Sequence, residues 1–426
     1  MIVVEDRDFP AISTELHFHS GAATEPVGKE GVSYLAGQLL TRGTKRRSRS
    51  EFAQTIETLG SSLYVMVGRE FTTVDGSTLT ANKDQFCDLM HEALTEPSFE
   101  QSELDKLKRL TLAEIEERRD NDEALAQHLF YQALYHPNAY ARPVKGTAES
   151  VAAITREDLF QAYERCFTPK HMLAAACGDI NAETLKQQCD RLSSKLPQSA
   201  ACEGVTVVAN DPGTIRVILV DKPKRAQTQI FLGHMSVNVH HPDYFPLALG
   251  NTVFGGTFTA RLSHEIREKR GWSYGAYSYL IGRRNHGAFV YRFYPAMKDA
   301  VAALELGLQL NQDLVDNGVT EAELTAAQSY LVNQFPFRLQ TSRKKMRELL
   351  RIQLLGLAEN YLETYISRIQ SVTPESTNHA LRTHLQPKDL TVVMVCTADQ
   401  IAEQIRQIPG VGEVQIHPYD QVWDHS

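Results

Sequence analysis

The chain has 426 residues, too many for one hydrophobic core, so two or more domains of about 100–200 residues are expected. With 42% hydrophobic and 23% charged residues it has the composition of a folded, soluble protein. Its net charge of −8 repels nucleic acid and anionic membrane, and no apolar run approaches the roughly 18–20 residues of a membrane helix, which excludes both classes of partner.

The first residues, "MIVVEDRDFP" (1–10), read as a strand, with none of the basic and long apolar regions of a secretion leader. Strand patterns follow at "AISTELHFHSG" (11–21) and "YVMVGREFTTVDGSTL" (64–79), and the basic run "TKRRSRS" (44–50) reads as a solvated loop. A long helical pattern opens at "FEQSELDKLKRL" (99–110), and its counterpart "VTEAELTAAQSYL" (319–331) repeats the Glu-Leu pair of 103–104 at 323–324. "ITREDLFQAYERCFTPK" (154–170) recurs as "VTPESTNHALRTHLQPK" (372–388): Thr155, Glu157, Ala162, Pro169 and Lys170 become Thr373, Glu375, Ala380, Pro387 and Lys388, without a gap. Each is followed by an apolar strand, "HMLAAAC" or "DLTVVMV", which is a helix–loop–strand signature.

Two copies of one large unit follow from this repeat, with a seam at "PQSAACEGVTVVANDPG" (197–213) and domains at 1–200 and 214–426. Strands at "TQIFLGHMSV" (228–237) and "AFVYRFYP" (288–295) alternate with amphipathic helices in the second copy as in the first. The expected fold is α+β: two tandem homologous domains, each a mixed, mainly antiparallel sheet packed against helices. The six cysteines (87, 166, 177, 189, 202, 396) show no CxxC spacing and read as free thiols.

Within the second copy, "VFGGTFTARLSHEIREKRGWSYGAYSYL" (253–280) predicts a loop and N-cap at Gly255-Gly256-Thr257. A helix with Phe258, Leu262 and Ile266 on one face should follow, stopped by Gly271. A strand then places Trp272, Tyr274 and Ala276 on one face and Ser273, Gly275 and Tyr277 on the other. Arg267 and Tyr274 flank the helix-to-strand turn.

On a helix, positions i, i+3 and i+4 share a face, so His-x-x-Glu-His offers two imidazoles to zinc and a carboxylate to its bound water. Set on the frame G-x-x-H-x-x-E-H-x-x-x-x-G-T, this chain supplies Gly31, Gly43 and Thr44, but Tyr34, Gly37 and Gln38 at the three chemical positions. His17 and His19, His240 and His241, His91-Glu92 and His264-Glu265 lack the spacing of replacement ligands.

This frame, with "HFHSGAATEP", "GTAESVAAITREDL", "KRAQTQIFLG" and "LSHEIREKRGWSYGAYS", resembles the inverzincin family of zinc peptidases, which includes pitrilysin, insulinase and the mitochondrial processing peptidase. The resemblance covers nearly the whole chain and implies a metalloprotease LuxS/processing-peptidase-like fold. It places Glu114 near the position of the family's third zinc ligand, although Glu114, set among Glu116, Glu117 and Asp120, also reads as a solvated carboxylate. It further implies that Arg267 and Tyr274 reach a peptide near the zinc of an opposing catalytic domain. No metal is therefore assigned to this chain, and zinc is expected in the partner. The implied role is the non-zinc subunit of a heterodimeric metalloendopeptidase, inactive alone, working on peptides with an HxxEH-containing homologous subunit. The alternative is a non-proteolytic core or scaffold subunit of the same fold, as a homodimer or otherwise. Bacterial relatives of this subunit type are often envelope proteins, which points to the periplasm, with the cytoplasm as the other location.

Overall fold

The computed structural model describes residues 1–199, 205, 207–208 and 213–421; most of the expected seam at 197–213, with Cys202, lies outside them. Two units are present. The first holds a five-stranded sheet of β1 (Ile2–Glu5), β2 (Ala11–Phe18), β3 (Ser62–Val67), β4 (Thr72–Leu79) and β5 (Met172–Gly178), in the order β1-β5-β2-β4-β3. The second holds β6 (Ile215–Asp221), β7 (Gln229–Ser236), β8 (Ala276–Gly282), β9 (Gly287–Phe293), β10 (Thr391–Cys396) and β11 (Val411–Pro418), in the order β11-β6-β10-β7-β9-β8.

Apart from the extra edge strand β11, the second order is the first with each strand replaced by its counterpart. In both, the leading strand runs parallel to the strand that follows the repeated helix (β1 with β5, β6 with β10) and three pairings are antiparallel, while β11 adds a second parallel pairing, to β6. This is the duplicated, mainly antiparallel α+β architecture that the repeat implied. The repeated segment owes its shape to capping: Thr155 Oγ1 accepts from the Asp158 N–H at 3.3 Å, and Thr373 Oγ1 accepts from the Ser376 N–H at 3.2 Å. Helices Arg156–Cys166 and Pro374–His384 start at these threonines.

The first unit comprises Met1–Glu116, Arg142–Thr206 and Phe337–Arg351; the second comprises Glu117–Ala141, Val207–Pro336 and Ile352–Ser426. Relative to stretches 1–200 and 214–426, two helical pieces are therefore exchanged. Helix Asp122–Tyr135 packs on β7 and β10. Residues 342–351 of helix Ser342–Leu355 cover the first sheet, where Met346 and Leu350 bury against Ala175 and Cys177. There Arg347 bonds Glu15 at 2.5 Å and Asp75 at 2.8 Å, and Arg343 bonds Asp75 at 2.6 Å. Sequence offset identifies the copies, but an amphipathic face does not name the sheet that it covers.

The five cysteines among the described residues form no disulfide; Cys166, Cys177 and Cys396 are buried, and Cys87 and Cys189 partly so. No helix among the described residues is long and apolar enough to cross a membrane.

Candidate functional site

The degenerate motif lies on helix Val32–Leu39, whose N-cap Gly31 has a left-handed φ of 90°. Two backbones cross tightly there: a Cβ on Gly31 would meet the Lys145 carbonyl oxygen at 2.6 Å, and one on Gly146 would meet that of Glu30 at 2.2 Å. Lacking a hydroxyl or carboxylate at the cap itself, the helix is capped from a distance. Buried Glu25 accepts from the Gly31 N–H at 2.9 Å and the Ser33 N–H at 2.7 Å. Burial nevertheless prevails over these bonds and pushes the Glu25 carboxyl up to about 7.

The three replaced positions have all been turned to packing. Gly37 is buried against edge strand β3, where an added Cβ would stand 2.9 Å from Val67 Cγ2 and 3.1 Å from Val65 Cγ1. Gln38 Nε2 donates to the Val65 carbonyl at 2.7 Å. Tyr34 is half-buried, which raises its phenol above the usual range, and its ring lies 5.6 Å from the Lys145 ammonium.

Lys145 Nζ also donates to Glu114 Oε2 at 2.7 Å, so the carboxylate at the third-ligand position already has a cation beside it. A phenol ring, a glycine and an amide committed to a backbone carbonyl do not make a zinc donor set with Glu114. The residues at this place do not fit the metal.

Arg267 and Tyr274 lie in the second unit, on an element that departs from its sequence expectation. Helix Tyr244–Asn251 runs on as a π-helical turn, Thr252–Gly256, because Gly255 lets it press against Ser278. The next helical stretch begins only at Arg261 and is π-helical over His264–Lys269. Leu262 and Ile266 are buried as expected, but Phe258 precedes the helix and is 54% exposed. Arg261 anchors this stretch through two 2.7 Å bonds to Glu323.

Gly271 ends the helix with φ of 63°, its N–H bonding the Arg267 carbonyl at 3.0 Å. The expected strand over 272–275 is absent, and β8 starts at Ala276. Buried Ser273 is the cause: its hydroxyl donates to the Gly275 carbonyl at 2.6 Å and accepts from the Tyr294 N–H at 3.0 Å. The bend pinned in this way turns Tyr274 out, 83% exposed.

Arg267 stacks on Phe258, with its guanidinium carbon 3.9 Å from the ring centroid. Its neighbours pair among themselves, Lys269 and Arg270 with Glu265 and His264 with Glu268. Arg267 has no carboxylate partner among the described residues. The element thus presents an open phenol and an uncompensated guanidinium, two donors suited to a peptide carbonyl or a developing oxyanion.

Sequence reasoning singled out these two positions and the altered motif but not Glu25 or Lys145. The one signal available for Glu25 was a helix start with no capping side chain of its own.

Residues 1–148 match the insulinase family (peptidase family M16), and residues 153–331 match the peptidase M16 inactive domain. A non-peptidase homolog, YmxG, of Helicobacter pylori is 24% identical over 397 residues, covering 93% of this chain and 91% of that protein. An uncharacterized zinc protease of Streptomyces coelicolor is 24% identical over 371 residues, 85% of this chain and 80% of that protein. Among solved structures, the peptidase M16 inactive domain from Pseudomonas fluorescens is similar with a TM-score of 0.85 at 24% identity, over 92% of this chain and 94% of that one. A chain of Complex III2 from Candida albicans is similar with a TM-score of 0.74 at 15% identity, over 94% of each. These two structural likenesses are of fold. With its halves matching the two domains of one family and the same strand order repeated between them, the chain belongs to peptidase family M16, the insulinase or inverzincin family, as a zinc-site-deficient homologue.

Proposed function

We propose that this protein is the non-zinc subunit of a two-subunit peptidase, lending Arg267 and Tyr274 to a homologous partner that carries HxxEH and zinc. The observation that carries this reading is an exposed Tyr274 and an Arg267 without a carboxylate partner among the described residues, seven positions apart on one element anchored by Arg261 and Ser273. A residue pair kept for packing alone would bury the phenol or pair the guanidinium.

In the proposed chemistry the partner supplies the metal-activated water and its general base. Tyr274 O–H and the Arg267 guanidinium donate to the peptide oxygen as it gains negative charge, and alone the chain cleaves nothing. We assign the assembly to the periplasm as part of the same reading; cell fractionation tests that assignment.

The test mixes the purified chain with an HxxEH-bearing homologous subunit and an unstructured peptide. Tyr274→Phe should lower the rate by roughly 10²–10³, the usual loss for an oxyanion donor, and Arg267→Ala should act in the same direction. A partner fully active without this chain overturns the proposal, as does undiminished activity in both variants.

The likeness of fold to a chain of Complex III2 supports a second reading, a non-proteolytic scaffold subunit, as a homodimer or otherwise. It predicts a stable assembly whose formation changes no peptidase activity.

A further inference from the structure

We propose that His241, Asp243 and His384 form a site for a divalent first-row transition ion of the zinc type. The proposal uses other residues than the degenerate motif and stands apart from the peptidase reading. Asp243 occupies the N-cap of helix Tyr244–Asn251, and His384 is the last residue of helix Pro374–His384. The two helices pack closely: a Cβ on Gly250 would meet Leu381 Cδ2 at 2.7 Å. That packing brings the end of one helix to the start of the other, with two imidazoles around one carboxylate.

His384 Nε2 is 2.7 Å from Asp243 Oδ2, and His241 Nδ1 is 3.8 Å from the same oxygen. One donor atom from each of the three residues lies within 4.8 Å of the other two. Ligands bound tetrahedrally at about 2.0–2.1 Å stand roughly 3.3–3.5 Å apart, so side-chain shifts of about 1 Å admit an ion. The imidazole rings are 4.7 Å apart and at 80° to one another.

An ordinary aspartate–histidine pair needs one imidazole. The second, His241, stands with its Nδ1 3.8 Å from the same carboxylate oxygen and accepts a 3.1 Å bond from the Asp243 N–H, which an ion would replace. All three side chains are partly exposed. His241 also lines a pocket of about 460 Å³ with Phe245, Leu357, Tyr361 and Arg368, which gives the ion an entry path and its remaining coordination positions room for water or an anionic ligand. Two imidazoles and one carboxylate with open positions are a donor set that first-row divalent ions favour over magnesium or calcium.

The test titrates the full chain, freed of metal by a chelator, with Zn²⁺ in competition with an indicator dye, and with Co²⁺ followed by its visible absorption. One equivalent is expected. His241→Asn leaves the Asp243–His384 pair intact, so its folding is not at issue, and it should weaken binding beyond the ~10–100-fold that losing an outer-shell partner produces. His384→Gln should act in the same way, while His240→Asn, at the exposed neighbouring imidazole, should leave affinity unchanged. Absence of a bound equivalent in the wild-type chain, or affinity unaltered by both His241→Asn and His384→Gln, overturns the site.

Discussion

Gly37→Ala is the sharpest probe of why the emptied motif cannot simply be refilled. The new methyl would lie 2.9 Å from Val67 Cγ2 and 3.1 Å from Val65 Cγ1, whereas carbon atoms settle at about 3.5–4.0 Å. Valine is stiff at χ1, so relief requires helix Val32–Leu39 to lift from β3 and strain the 2.7 Å bond from Gln38 to the Val65 carbonyl. Overpacking of this kind costs about 1–3 kcal/mol, against a gain of about 1 kcal/mol from replacing glycine by alanine within a helix. The net is a destabilisation of about 1 kcal/mol, or roughly fivefold faster exchange where opening is local. Hydrogen exchange by mass spectrometry on peptides spanning 32–40 reads this directly. In a Val65→Ala/Val67→Ala background both obstacles are removed, and the same substitution should become stabilising by up to about 1 kcal/mol. Slower exchange in the single variant, or the same effect in both backgrounds, refutes the close-packing argument. By the same reasoning, restoring His, Glu and His at 34, 37 and 38 without reshaping β3 yields no ordered zinc site.

Glu25 makes the first unit pH-sensitive. Its carboxyl is raised from 4.5 to about 7, chiefly by burial, so the stability it contributes is full below about 4.5 and is lost as pH rises through 7. Glu25→Gln should flatten the pH 5–7 slope of exchange in helix Val32–Leu39; an unchanged slope would show that Glu25 does not titrate there. Glu15 behaves oppositely: burial raises its pKa, but His17 and Arg347 prevail and hold it at about 2. Its contribution is present above about 4.5 and is lost as pH falls toward 2. Arg347→Ala should destabilise residues 342–351 by about 1–2 kcal/mol, less than the figure for a fully buried pair because the arginine is half exposed. Exchange in that segment should quicken at pH 7, and the difference from wild type should shrink as pH falls toward 2; equal exchange at pH 7 would remove the ion pairs from the account of how this segment is held. Tyr274→Phe, assayed with the partner, carries the functional reading.

Local patterns were legible. Thr155 and Thr373 start their helices as the repeated segments imply, and the apolar strands after them occupy equivalent places in two sheets of the same order. The repeat, the α+β class and the emptied motif all rest on residues within a few positions of each other, where backbone geometry relates spacing to a shared face. Over 253–280 the same logic failed in part. Periodicity placed Phe258 on the helix and Tyr274 on a strand, but a π-helical turn through Gly255 and the Ser273 hydroxyl reset the register at both ends.

The amino-acid order alone therefore determined that this is a duplicated family member without HxxEH at its motif frame, and it singled out Arg267 and Tyr274 as candidates. Only the folded chain decided that Lys145 stands beside Glu114, that Glu25 caps the emptied helix, that residues 342–351 cover the first sheet, and that His384 meets Asp243 across 141 positions. The physical reason is that, the Glu25 cap apart, each of these contacts joins side chains from separate elements. Such pairs are brought together by the burial of apolar faces elsewhere, which leaves no spacing in the sequence from which to read them.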